Sequence, residues 1–80
     1  MNADTKRKIV ELDTVATGLR IKRLMFEREL TIRDVSDTMK VSFQAVYRWQ
    51  RGETLPTISN LYILGQLLGT GVDAMLVGKK

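Results

Sequence analysis

The chain has 80 residues, 44% of them hydrophobic, which is enough for one domain around one core and no more. It contains no cysteine and no histidine, which removes disulfides, thiolate chemistry, the common zinc sites and a histidine general base. Thirteen lysines and arginines against nine acids leave a net charge of +4, compatible with nucleic acid, an acidic protein surface or an anionic membrane as partner.

Residues 1–13 are polar and charged and read as a flexible or strap-like segment ahead of a domain spanning residues 14–78. Met1–Lys8 reads as a loose tail lacking the apolar stretch of a signal peptide. Ile9–Leu12 reads as an extended strap over the core or a weak edge strand, the strap being preferred because a lone strand has no partner in the chain. A first helix is expected at about Val15–Glu29, capped by Thr14 or Thr17. Ile21, Leu24 and Met25 follow its i, i+3, i+4 rule, and Leu19 and Phe26 add apolar surface. Gly18 lowers local helicity there, so a ragged start is expected.

Thr31-Ile-Arg-Asp has the form of a capping box, with Asp34 in the place usually held by Glu or Gln. It opens a second helix ending near Met39, with Val35 and Met39 inward and Ser36 small enough for close packing. After a turn at Lys40-Val41, Ser42 caps a third helix over about Phe43–Arg51, with Val46 and Trp49 as its inward pair and Gly52 as its stop. Thr57 caps a fourth helix, Ile58–Leu68, whose nearly continuous apolar character predicts burial on most of its circumference, in part against a partner chain. Gly65 inside it, which costs roughly 1 kcal/mol against Ala, fits close contact with another backbone or sequence drift. Gly69 ends it, and a last short helix over Gly71–Val77 turns Val72, Met75 and Leu76 inward.

Two short helices joined by a tight turn leave Phe43, Gln44, Tyr47 and Arg48 outward on the second, with no acid in that helix. The major groove of DNA admits one α-helix; Gln pairs bidentately with adenine N6/N7 and Arg with guanine O6/N7. Gln44, Arg48, Phe43 and Tyr47 are therefore the candidate base-reading residues. Thr31, Ser42 and Arg51 are the candidate phosphate contacts, the first two aided by the adjacent helix-start amides. Phe43 also fits an apolar plug against the turn, Tyr47 a cover for the core edge, and Arg51 a cation at the helix C-terminus. Gln44 and Arg48 also fit ordinary solvated positions.

From Gly18 to Leu76 the sequence resembles the helix-turn-helix domain shared by phage Cro and repressor proteins and the XRE-type bacterial regulators. The resemblance is carried by Gly18-Leu-Arg-Ile-Lys-Arg-Leu, by Leu30-Thr31 through Ser36, by Val41 to Gly52, by Leu55-Pro-Thr-Ile with Leu61 to Gly69, and by Val72 to Leu76. It implies an all-α, five-helix, lambda-repressor-like DNA-binding domain, usually dimeric on a pseudo-palindrome. By position it makes Gln44 and Arg48 base readers, Phe43 a neighbouring contact, and Thr31, Ser42 and Arg51 phosphate contacts. Ile32 stands where many members carry a Gln that touches the DNA backbone and braces the recognition helix, and Ile cannot donate that hydrogen bond. Met25 and Gln50 stand where the family often places an Arg–Glu ion pair; with both partners replaced together, no buried charge is left alone.

The leading expectation is a sequence-specific, double-stranded-DNA-binding transcriptional regulator, specifically a small repressor. It is expected to be cytoplasmic, homodimeric, without cofactor, and not an enzyme. With no room for a sensing domain after residue 80, its signal is expected from concentration, a partner protein or a separate polypeptide. The alternative is an antitoxin-like or accessory interaction module whose apolar fourth helix grips another protein, with DNA binding secondary. Leu55, Tyr62 and Val77 are the candidate dimer contacts. Asp34 and Asp37, three apart on the second helix, are the nearest approach to a catalytic acid pair, and a solvated face explains them better.

Overall fold

The structure, a computed structural model, describes residues 9–79; the expected tail Met1–Lys8 lies outside them. Five helices follow in order: α1 (Thr14–Glu27), α2 (Ile32–Met39), α3 (Phe43–Arg51), α4 (Ile58–Leu68) and α5 (Val72–Met75). The fold is all-α with five helices, as the resemblance implies.

Local chemistry sets most of the boundaries. At α2, Thr31 Oγ1 accepts from the Asp34 amide at 3.0 Å while the Asp34 carboxylate accepts from the Thr31 amide at 2.9 Å, completing the capping box. Ser42 Oγ and Thr57 Oγ1 accept from the amides of Ala45 and Asn60, three residues on, and start α3 and α4. Gly52 and Gly69 close those two helices in the left-handed conformation. Lys40 ends α2 with φ of 58°, although it carries a side chain.

Both ends of the domain differ from what the sequence predicts. The cap of α1 is Asp13, whose carboxylate accepts from the Ala16 amide at 2.9 Å, and neither Thr14 nor Thr17. Thr17 is fully buried, and its hydroxyl oxygen accepts from the Val77 amide at 3.0 Å. The last helix stops at Met75 rather than Val77 because Leu76 turns extended and the chain pairs with the N-terminal segment. Asp13 N–H donates to Val77 C=O, Lys79 N–H donates to Glu11 C=O, and Leu12 bridges Gly78 antiparallel. Ile9–Leu12 thus does have a partner within the chain, the C-terminal tail, while Ile9 and Val10 themselves stay exposed.

The core joins Ile21 and Met25 of α1, Val35 of α2, Val46 and Trp49 of α3, Leu61, Leu64 and Leu68 of α4, and Met75 of α5. Leu24, Ile32 and Met39 pack against it from its margin, whereas Leu19 and Phe26 face solvent. Gly18 is where α1 crosses the end of α3. A Cβ built there would lie 2.5 Å from Trp49 O, 2.7 Å from Gln50 O and 2.8 Å from Gly52 N. The glycine is therefore a point of backbone-to-backbone contact inside an unbroken helix, and the ragged start expected from its low propensity does not occur. Gly65 has the expected close neighbour, the Thr70 carbonyl, 2.8 Å from where a Cβ would stand.

Burial of α4 is less complete than its composition predicts. Leu61, Leu64 and Leu68 line its inner side, while Ile58 is 87% and Tyr62 65% exposed.

Candidate nucleic-acid interface

α2 and α3 meet through Val35, Val46 and Trp49, all buried, and are joined by the Lys40-Val41 turn. The Val41 amide reaches back to Ser36 C=O at 3.1 Å, and Ser36 is itself buried, its hydroxyl turned back onto the Arg33 carbonyl of its own helix. From the other side, α1 is locked onto the end of α3 at Gly18. With its inner side held twice, α3 presents the remainder to solvent.

That outer side carries all four side chains expected there. Gln44 and Arg48 are exposed, and Phe43 and Tyr47 are 43% and 41% exposed. No acid lies within α3, and Arg48 and Arg51 occupy its last turn. Each aromatic ring is stacked by an arginine. The Arg33 guanidinium lies 5.6 Å from the Phe43 ring centroid, and that of Arg51 lies 5.5 Å from the ring of Tyr47. The Arg33 contact has no counterpart in the sequence reading, since it depends on the angle between α2 and α3 and not on spacing along either.

The expected phosphate contacts sit in different circumstances. Thr31 and Ser42 are exposed, and each spends an oxygen lone pair on its cap while keeping its O–H proton to donate. Arg51 is already engaged. Its Nε donates to Glu53 Oε2 at 2.8 Å and its Nη1 to Tyr47 Oη at 3.3 Å. Those contacts, with Glu53 foremost, raise its pKa further above the ordinary arginine value. Asp34 is pushed the other way, below the usual aspartate range, chiefly by the hydrogen bond from the Thr31 amide and then by the Thr31 side chain.

At the position of the Arg–Glu pair common in the resembled family, Gln50 Nε2 reaches Met25 Sδ at 3.3 Å. A half-buried amide thus touches a buried thioether, and neither side of the contact carries a charge. Ile32 is half-buried and packed against the core, so it serves the interior of the domain.

The sequence of residues 19–74 matches the helix-turn-helix family. The chain belongs to that family. No curated protein matches it. In three dimensions this helix-turn-helix chain is similar to the restriction-modification controller protein C.AhdI from Aeromonas hydrophila, with a TM-score of 0.72 and 19% identity over 79% of this chain and 96% of that one. It is also similar to the DNA-binding domain of BldD, with a TM-score of 0.68 and 18% identity over 80% of this chain and 93% of that domain. At these identities the likeness is one of fold. The chain is thus a helix-turn-helix protein whose domain is similar in fold to those of XRE and Cro/C1-type regulators. Among the described residues no group of three or more His, Cys, Asp or Glu side chains is placed to hold a metal ion, and no helix is long and apolar enough to cross a membrane.

Proposed function

We propose that the chain is a cytoplasmic repressor that binds a pseudo-palindromic operator in double-stranded DNA as a homodimer. The observation that carries this reading is the outer side of α3, where Phe43, Gln44, Tyr47 and Arg48 are all exposed on an acid-free helix whose inner side is fixed by α1 and α2. Gln44 and Arg48, one turn apart, read purine edges in the major groove, and Phe43 and Tyr47 meet thymine methyl groups or sugar edges. Thr31 and Ser42 donate to phosphates, and Arg51 joins them by exchanging Glu53 for the DNA backbone. Occupancy of the operator is then the regulatory act.

The homodimer rests on α4. Ile58 and Tyr62, four residues apart, leave an apolar strip in solvent, and a second copy covering that strip would make one contact of two identical faces. Tyr62 is the best placed of the three candidate contacts. Leu55 is half-buried, and Val77 has both backbone groups committed to Thr17 and Asp13.

Selection of duplexes from a random pool, followed by footprinting, tests the proposal. The expected result is a two-fold repeated motif with half-sites about 34 Å apart, one turn of B-DNA. Enrichment of no motif would favour the interaction module, and a single unrepeated half-site saturated by one chain would remove the dimer.

A further inference from the structure

Arg33 is the second residue of α2, and the base of its side chain is firmly set. The capping box fixes the first turn, the Ser36 hydroxyl donates to Arg33 C=O at 3.1 Å, and Ile32 and Val35 anchor the helix on the core. Its far end crosses to the neighbouring helix and lies over Phe43, the first residue of α3. This stack ties α2 to α3 on the solvent side, where buried side chains do not. A phenyl ring has no hydrogen-bonding atom, so its orientation there depends on what packs against its faces.

A guanidinium held over a phenyl ring gives up none of its five N–H donors to a conventional acceptor there, since the ring has no such atom. None of the Arg33 donors has an acceptor among the described residues. Among the described residues it forms no ion pair: Asp34 is spent on the capping box, and Asp37, one turn along, makes no salt bridge to it. Arg51 provides the contrast. It also stacks on an aromatic ring of α3, yet Glu53 and the Tyr47 hydroxyl take its N–H groups. Of the two arginines flanking the outer side of α3, Arg33 is the one that lies over a ring with donors that no described residue occupies. Thr31, two residues before it, and Ser42, next to Phe43 in the chain, likewise keep hydroxyl protons to donate.

We propose that Arg33 has two roles at once: its face positions the Phe43 ring at the start of α3, and its edge binds a phosphate of the DNA backbone. The proposal rests on the DNA-binding reading above. It makes Arg33 a positioning residue for sequence preference and a contributor to salt-dependent affinity in its own right.

The test is equilibrium binding of the full chain to two duplexes, the one the wild type enriches from a random pool and a scrambled duplex of equal composition, across a series of salt concentrations. Arg33→Ala is expected to reduce the slope of log K against log salt by about 0.9 per chain on both duplexes, as for one lost phosphate contact. Arg33→Lys is expected to keep that slope but lower the matched-to-scrambled ratio about two- to fivefold, because the ammonium cannot stack as a plane. In a Phe43→Leu background, Arg33→Lys should change the ratio no further. Thermal unfolding of each variant, expected to stay near wild type because both side chains are exposed, verifies that the fold is intact. An unchanged salt slope in Arg33→Ala, or an Arg33→Lys effect equally large with and without the Phe43 ring, overturns the assignment while leaving the DNA-binding reading in place. A wild-type chain that enriches no duplex overturns both.

Discussion

Replacing Gly18 with alanine sets two effects of opposite sign against each other. Judged by helix propensity alone, Gly18→Ala in the interior of α1 should stabilise the protein by about 1 kcal/mol. The packing predicts otherwise. The added methyl would meet Trp49 O, Gln50 O and Gly52 N at 2.5, 2.7 and 2.8 Å, and all three atoms are backbone, so no flexible side chain can swing away. Overpacking of this kind costs about 1–3 kcal/mol, and rigid neighbours on every side place Gly18→Ala at the upper end. The net loss is therefore about 2 kcal/mol, equivalent to a fall in melting temperature of roughly 8–16 °C for a domain of this size. Thermal unfolding followed by circular dichroism reads it directly. A melting temperature equal to or above that of the wild type would refute the reasoning, because it would mean that α1 can move off the end of α3 without loss.

Three other perturbations test the remaining parts. Gln44→Ala or Arg48→Ala should lose about 1–3 kcal/mol on the preferred duplex and flatten preference at one or two base pairs, whereas Arg51→Ala should weaken matched and scrambled DNA alike; equal weakening by all three would remove the base-reading assignment. The depressed pKa of Asp34 means that its capping-box contribution is fully present above the ordinary aspartate pKa of about 4 and is lost as pH falls through the lower folded-state value. Asp34→Asn, which keeps an acceptor and removes the titration, should therefore show a shallower loss of stability in that acid window, measured by urea unfolding as a function of pH. Tyr62→Glu, on the exposed strip of α4, should yield a monomer by analytical ultracentrifugation with little change in melting temperature, and an unaltered dimer would move the interface elsewhere.

What the sequence makes legible is what depends on neighbours along the chain. Thr31, Ser42 and Thr57 each bond an amide three residues on, so their caps can be read from a few letters, and Gly52 and Gly69 end their helices for equally local reasons. The inward phase of α3 follows from Val46 and Trp49, and that leaves Gln44 and Arg48 outward. The cap of α1 is different. Asp13, Thr14 and Thr17 offer similar chemistry, and the choice among them is made by Val77, whose carbonyl fixes the Asp13 amide and whose amide occupies the Thr17 hydroxyl oxygen. Nothing near residue 13 announces that. Likewise Leu76 and Val77 have the apolar character of a helix, but pairing with Glu11–Asp13 draws them out of it. Gly18 appears as a helix weakness until the partner backbone is known, and Arg33 appears as a solvated charge until Phe43 lies beneath it.

The ribbon joining the two ends of the domain has a consequence for the order of folding events. Its contacts link residues 60 to 68 positions apart, from Thr17–Val77 to Lys79–Glu11, whereas α2 packs on α3 across a short turn. Pairing the two segments orders residues at the margin of the fold and returns only a few hydrogen bonds, and it needs α1 and α5 docked first to bring them together. The ribbon is therefore a late event, formed once α1 and α5 are already in place. Interactions made after the transition state govern how slowly a protein comes apart and hardly alter how fast it assembles. Cutting the ribbon between Glu11–Asp13 and Val77–Lys79 is therefore expected to raise the unfolding rate more than it lowers the folding rate, which stopped-flow measurements on a Leu12→Pro variant would read.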